Sequence, residues 1–148
     1  MCVVIDANKA GDLCNQDRPY LMALMQWINR GGRIVSGGKL QEELFRITKM
    51  RELVTEWAKR GTLIQLPKDA VKAKEDEIKG VCKSDDPHVI AIAIISNARI
   101  VVTEDKKLIQ DLQDLSIVGR RRRIYKENGA SPNRIDRHMA LLRGSDCP

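Results

Sequence analysis

The sequence is poor in aromatic residues, with two Trp, two Tyr and one Phe among 148 residues. Proteins that bind single-stranded nucleic acid by stacking its bases need several aromatic side chains on one surface. Folds of that kind are therefore disfavoured, and the core must be built from aliphatic side chains. With 43% apolar and 31% charged residues, the composition is that of a globular protein. The length favours a single domain over residues 1–148.

Long apolar runs and cysteine motifs are also missing. The longest wholly apolar run, residues 89–95, is far shorter than the roughly 20 residues that cross a bilayer. The N-terminal strand meets Asp6 without the longer apolar stretch of a secretory signal. We therefore expect a cytoplasmic protein with no membrane partner. The four cysteines form no CxxC pair, which disfavours structural zinc and a disulfide framework.

The positive charge is concentrated at one end of the chain. Residues 119–148, here called the basic C-terminal segment, contribute +5 of the formal net charge of +6. An acidic polymer is the natural partner of such a segment. We predict that it binds the phosphate backbone of an RNA, first of all through Arg120, Arg121, Arg122 and Arg123. The alternative for this run of four is a solvated strand edge that prevents aggregation.

Strands and helices alternate along the chain, which predicts an α/β fold of three layers with a central parallel sheet of four to five strands. The strands are predicted at residues 2–5, 33–36, 63–66 and 100–103, with 122–125 as a fifth strand or edge. Six helices are predicted. The first begins at Arg18 or Pro19, is capped by Asp17 and ends before Gly31, and the second carries the apolar stripe Leu40, Leu44 and Ile47. The other four cover residues 50–60, run from Asp69 toward Cys82, lie around residues 87–95 and cover residues 106–115.

Two acidic residues follow predicted strands. Asp6 comes directly after the first strand, and Asp105 lies two residues beyond Thr103 at the end of the fourth. In an open parallel sheet, ligands bind at the carboxyl ends of the strands, where loops and helix N-termini converge. A single Asp after a strand is most often a turn residue or a helix cap. Two at one edge of the sheet favour a site.

Two further acids belong to helices that face this edge. At about 100° per residue, Glu43 lies roughly 70° from the centre of its helix's apolar stripe and Glu42 roughly 170° away. Glu43 should therefore face the body, although it could simply pair with Lys39 or Arg46. Asp86 precedes Pro87 and a buried helix, where an N-cap role is equally natural. Asp85 is the alternative to Asp86.

If these four acids converge, they require protons or a cation. Two carboxylates about 4 Å apart repel by roughly 4 kcal/mol at an effective dielectric constant of about 20. Ligand sets made of Asp and Glu oxygens favour Mg²⁺ or Mn²⁺ over zinc. Such ions polarise phosphodiesters and activate water, which is the chemistry of a nuclease.

Four short motifs occur in a fixed order within residues 2–118. They are VIDAN at residues 4–8, EL at 43–44, DPHVIA at 86–91 and IVVTED at 100–105, the last followed by Leu108. In order, spacing and setting these motifs resemble those of PIN-domain ribonucleases, including the VapC-type toxins. The basic C-terminal segment extends beyond the part of the chain that resembles the compact core of that family.

The resemblance implies a metal-dependent endoribonuclease that hydrolyses single-stranded RNA and leaves a 5′-phosphate and a 3′-hydroxyl. It implies that Asp6, Glu43, Asp86 and Asp105 bind Mg²⁺ or Mn²⁺, and that Asn8 and Thr103 support them by hydrogen bonds. His88 is interpreted as a helix-start residue bonded to backbone. The partners to test are single-stranded or structured RNA, an antitoxin protein and a second copy of the chain in a homodimer. The class of RNA, and cleavage of DNA instead, stay open.

Three other readings compete with this hypothesis. A PIN-like module could bind RNA or protein without turnover, although the presence of all four acids argues against it. A phosphoacceptor receiver domain needs an Asp at the end of the third strand, where Leu66 is followed by Pro67. A haloacid-dehalogenase-like phosphatase needs a second acid two residues after Asp6, where Asn8 stands.

Overall fold

The protein is built on one five-stranded parallel sheet, which confirms the predicted three-layer α/β/α class. A computed structural model describes residues 2–15, 18–127, 140 and 142. The strands are β1 (Cys2–Ile5), β2 (Arg33–Gly37), β3 (Leu63–Leu66), β4 (Ile100–Val102) and β5 (Arg123–Tyr125). Their order across the sheet is β3-β2-β1-β4-β5.

Eight helices within the described ranges pack around the sheet. They are α1 (Ala7–Asn15), α2 (Pro19–Asn29), α3 (Gly38–Arg46), α4 (Thr48–Lys59), α5 (Lys68–Ile78), α6 (Pro87–Ser96), α7 (Lys106–Gln113) and α8 (Leu115–Val118). As predicted, α6 is the buried helix, with seven of its ten residues buried. None of the helices in these ranges combines the length and the apolar character needed to cross a membrane.

Several predicted boundaries differ from the structure. Helix α1 was not predicted, because it is short and polar and buries only Ala10 and Leu13. Asp69 lies in the first turn of α5 rather than at its cap, which is Pro67. The predicted helix over 106–115 is divided at Asp114, whose side chain caps α8. The predicted cap Asp17 lies outside the described residues.

Strand β1 is the centre of the sheet and marks the point where the chain changes direction. From β1 the chain adds β2 and β3 on one side, then crosses to add β4 and β5 on the other. Ile5 pairs with Val102, so the residues that follow β1 and β4 emerge side by side. The backbone N–H of Asp6 donates to the carbonyl of Val102 at 3.0 Å. Such a switch point is where open α/β sheets bind ligands.

The four consecutive arginines lie at the opposite edge of the sheet. Arg123 pairs with Ile100, the first residue of β4. Asp105, in contrast, follows Val102, the last residue of that strand. Arg122 is buried, and its guanidinium donates to the carbonyl of Ala93 at 3.3 Å. The prediction that Arg122 contacts RNA is therefore wrong, because its side chain is enclosed between α6 and the start of β5. Arg120, Arg121 and Arg123 are exposed.

One cysteine departs from expectation. Cys2 is disulfide-bonded, whereas Cys14 and Cys82 are free thiols. Spacing along the chain does not reveal such a pairing, because it depends on which segments the fold brings together.

Candidate metal centre

Asp6 is the buried member of the acidic cluster. Only 2% of its surface is exposed, because it directly follows the central strand. Its Oδ2 accepts a hydrogen bond of 2.9 Å from Thr103 Oγ1, and its Oδ1 accepts a longer one of 3.4 Å from the backbone N–H of Asn8. A side-chain hydrogen bond from Thr103 to Asp6 is therefore present, whereas Asn8 contributes its backbone rather than its side chain.

Asp105 both caps a helix and borders Asp6. Its Oδ1 accepts from the backbone N–H groups of Lys107 and Leu108, at 2.9 and 3.1 Å. Its own N–H donates to Thr103 Oγ1 at 3.1 Å. The Thr103 hydroxyl thus connects Asp6 and Asp105, and it holds the ends of β1 and β4 in register.

Glu43 faces the interior and Glu42 faces the surface, as the helical phase predicted. Gly37 and Gly38 turn the chain from β2 into α3, and Gly38 has a positive φ of 50° that residues with a Cβ rarely adopt. Glu42 is exposed and pairs with Lys68 at 3.3 Å. The Glu43 Oε2 atom lies 3.0 Å from Nε2 of His88 in α6.

Asp86 stands at the N-cap of α6, but its side chain makes no capping hydrogen bond. One ligand atom each of Glu43, Asp86 and His88 lie within 4.8 Å of one another. Asp85 is exposed and takes no part in this group. The sequence leaves Asp85 and Asp86 as alternatives for one candidate ligand, and this geometry favours Asp86.

The carboxylates are close enough to perturb each other's ionisation. Burial raises the pKa of Asp6 above its usual value; the hydrogen bonds from Thr103 and Asn8 act against this, and the charges of Asp86 and Asp105 add to it. Burial also raises the pKa of Asp86, which His88 and Lys39 lower and Glu43 and Asp105 raise. Asp86 thus lies within electrostatic range of the other three acids, but only Glu43 shares with it, and with His88, the group whose ligand atoms lie within 4.8 Å.

The loop that carries Asp86 is held by a buried carboxylate on α7. Asp111 is 1% exposed and accepts the backbone N–H of Lys83 at 3.0 Å and that of Ser84 at 2.8 Å. Ser84 Oγ in turn accepts the N–H of Asp86 at 3.0 Å. Helix α7 therefore begins at one site residue, Asp105, and fixes the loop of another.

His88 does not have the environment expected from the sequence. Its side chain is fully buried, and its ring contacts Glu43 rather than backbone. Its Nδ1 is a buried atom without a hydrogen-bond partner in the described part of the chain. The position of His88 two residues after Asp86 was visible in the sequence, but its partner on α3 was not.

The donor set fits a hard divalent cation. Glu43, Asp86 and His88 form the group whose ligand atoms lie within 4.8 Å of one another, while Asp6 and Asp105 lie outside that group but close enough to act on the ionisation of Asp6 and Asp86. Oxygen ligands of this kind suit Mg²⁺ and Mn²⁺. Oxygen donors dominate the set, and no cysteine belongs to it. The electrostatic cost of bringing these carboxylates together is the cost that a divalent cation removes.

Exposed lysines surround the acidic cluster. Lys39 lies in the first turn of α3, and Lys106 and Lys107 form the first turn of α7, directly after Asp105. Within the described ranges none of the three forms an ion pair. We call Lys39, Lys106 and Lys107 the lysine rim. The sequence does not reveal this group, because Lys39 is distant along the chain from Lys106 and Lys107.

Comparison of the chain with models of protein families, with curated proteins and with solved structures found no match in any of the three. The function must therefore be argued from the residues of the site.

We predict that Asp6→Asn stabilises the metal-free protein at pH 7. The raised pKa of Asp6 means that folding favours its protonated form, so its contribution to stability is greatest at acid pH and is lost as the pH rises through that pKa. A neutral amide avoids this loss. The melting temperature of the variant should exceed that of the wild type at pH 7, and the difference should shrink toward pH 4. A gain of about 1 kcal/mol in the free energy of unfolding raises the melting temperature of a domain of this size by roughly 2–4 °C.

A lower melting temperature of the metal-free variant at pH 7 would show that Asp6 is a structural turn residue. Asp85→Asn is the matched control, because it makes the same change at an exposed aspartate outside the acidic cluster.

We predict that Asp111→Asn destabilises the fold by about 1–3 kcal/mol, because one N–H of the Lys83–Ser84 turn then faces an amide nitrogen and loses its acceptor. Urea unfolding measures this change. Asp85→Asn, an exposed change in the same loop, should stay within about 0.5 kcal/mol of the wild type. Equal stability of the two variants would contradict the assigned role of Asp111.

Proposed function

We propose that the protein is a PIN-like endoribonuclease that hydrolyses phosphodiester bonds of single-stranded RNA with the help of Mg²⁺ or Mn²⁺. The observation that carries the proposal is the grouping of Asp6, Glu43 and Asp105 within electrostatic range of Asp86, near the switch point of the sheet, with Glu43 and Asp86 the closest ligands. Their mutual repulsion helps to raise the pKa of Asp6 and Asp86. Charges that oppose one another in this way cost stability, which favours a functional reason for their presence.

Asp86 supports this proposal most directly. An Asp at an N-cap normally uses its carboxylate to accept a backbone N–H of the first turn. Asp105 does so, whereas the Asp86 side chain makes no such bond. Its carboxylate faces Glu43 and His88 instead. A ligand role explains why capping is given up at this position.

In the proposed site the four carboxylates hold the cation, and Thr103 fixes the orientation of Asp6 toward it. When bound, the cation polarises the phosphodiester and lowers the pKa of an attacking water. The lysine rim binds the phosphates on either side of the scissile bond, because its three cations are exposed at the same edge. These contacts are independent of base identity.

We predict that the protein cleaves labelled single-stranded RNA with Mg²⁺ or Mn²⁺ and loses this activity in a chelator. Glu43→Gln should lower the rate at least about tenfold, since it weakens a ligand of the cation. Glu42→Gln is the control on the next residue of the same helix, and its rate should stay within about twofold of the wild type. Gel analysis of end-labelled RNA measures both.

Cleavage that survives chelation would reject the metal-dependent mechanism. Metal and RNA binding without any cleavage would indicate the binding-module alternative. Cleavage of single-stranded DNA at an equal rate would correct the substrate class.

We predict that a triple change of the lysine rim to Gln reduces the dependence of RNA affinity on salt. Each lost phosphate contact lowers the slope of log K against log salt by about 0.7 for single strands, so the triple variant should lose about 2. The matched control is the triple change of Arg120, Arg121 and Arg123 to Gln, which removes the same charge at the opposite edge.

The position of the two groups decides the outcome. If the RNA lies over the acidic cluster, the rim variant loses more of the slope than the arginine variant. The reverse result would restore the original prediction that the arginine run is the main phosphate contact. Arg134, Arg137 and Arg143, which lie outside the described residues, would be the remaining candidates if neither variant changes the slope.

A further inference from the structure

We propose that His88 is a positioning residue of the metal centre: its Nε2–H donates to Oε2 of Glu43 and holds that carboxylate in the orientation that binds the cation. The proposal rests on the proposed function, because it takes Glu43 as a ligand. The supporting geometry is the 3.0 Å contact between these two atoms and the complete burial of the imidazole.

The contact itself defines where the ring carries a hydrogen. A carboxylate oxygen has only lone pairs to offer, so a nitrogen 3.0 Å away is attracted to it only as an N–H donor. Nε2 then has no lone pair for a metal ion. Nδ1, the other ring nitrogen, is buried and has no hydrogen-bond partner within the described residues. Among those residues, no second hydrogen bond therefore competes in setting the orientation of the ring. Among the described residues, Glu43 is therefore the hydrogen-bond partner of the imidazole.

Glu43 is the acid that most needs an external support. Asp6 is held by Thr103 and by the backbone of Asn8, and Asp105 is held by two backbone N–H groups. Glu43 has one more rotatable bond than an aspartate, and 24% of its side chain is exposed. Ordering a free glutamate side chain costs conformational entropy, and a preset orientation removes that cost from cation binding.

The fold explains why the support comes from residue 88. Asp86 and His88 lie two residues apart at the start of α6, while Glu43 lies on α3, which packs against α6. The bond between His88 and Glu43 therefore fixes the distance between two ligands that belong to different helices. A change at His88 should thus weaken the affinity for the cation more than the rate at saturating cation.

Two substitutions separate the hydrogen bond from the bulk of the ring. In His88→Gln the amide nitrogen follows Cβ by the same number of bonds as Nε2 and can donate to Glu43. In His88→Met the side chain fills the buried space but donates nothing. Titration calorimetry with MnCl₂ on the full chain, without RNA, should show at least about tenfold weaker binding for His88→Met, as is typical when a support of a ligand is lost. His88→Gln should stay within about threefold of the wild type.

A double-mutant cycle tests whether His88 acts through Glu43. In a Glu43→Ala background, adding His88→Met should change the Mn²⁺ affinity by less than about twofold, because the group that His88 orients is gone. A further tenfold loss would mean that the imidazole binds the cation itself, and it would overturn the positioning role. Equal weakening by His88→Gln and His88→Met would overturn it as well.

An independent readout needs no metal. The chain has only two histidines, so ¹⁵N spectra of the metal-free protein resolve each ring, and His138→Gln assigns them without any change at His88. We expect the hydrogen of His88 on Nε2. A spectrum with the hydrogen on Nδ1 alone would overturn the proposal even if the variants fail to fold.

The two proposals fail in different ways. Wild-type protein that binds Mn²⁺ but never cleaves RNA would reject the proposed function and leave the role of His88 intact. Metal-dependent cleavage combined with unchanged Mn²⁺ affinity in His88→Met would reject the role of His88 alone. Wild-type protein that binds no Mn²⁺ would reject both.

Discussion

The burial of the Asp6 carboxylate between the ends of β1 and β4 is the constraint on which the site depends. A carboxylate at this depth needs hydrogen bonds, and the Thr103 hydroxyl supplies the shorter of them while also accepting the N–H of Asp105. The ends of two neighbouring strands are thereby tied to the N-terminus of α7. Any ligand that joins Asp6 must approach along this edge, so the helices that reach it determine the chemistry.

Asp86 and Asp105 show how one residue type at one kind of position can serve two purposes. Both stand at an N-cap, yet only Asp105 accepts backbone N–H groups of its helix. Two neighbouring features compensate for the missing cap at α6. Pro87, at the first helical position, has no N–H that would need an acceptor. Asp111 holds the preceding loop by accepting the N–H groups of Lys83 and Ser84. These bonds hold the loop without the Asp86 carboxylate, which leaves that group available to a ligand.

The features that sequence analysis predicted correctly are those with a local cause. Strand patterning gave the parallel sheet, helical phase separated Glu43 from Glu42, and strand ends located Asp6 and Asp105. The features it missed depend on long-range packing. The partner of His88 lies 45 residues earlier, and the burial of Arg122 follows from its contact with Ala93 on α6. Neither contact leaves a periodic signal, because both join elements that meet only in the folded chain.

The distribution of charge shows why net charge does not locate a binding surface. The arginine run precedes β5, and in a parallel sheet the residues before a strand lie at the amino edge, whereas those after it lie at the carboxyl edge. Arg120 to Arg123 are therefore separated from the acidic cluster by the length of β4, about 10 Å at roughly 3.3 Å per residue. The three rim lysines begin helices that follow β2 and β4, so topology places them beside the acids. Since the attraction between a cation and a phosphate falls off over about 8 Å at physiological salt, position in the fold outweighs the number of charges in deciding which group would meet a phosphate substrate at the proposed site.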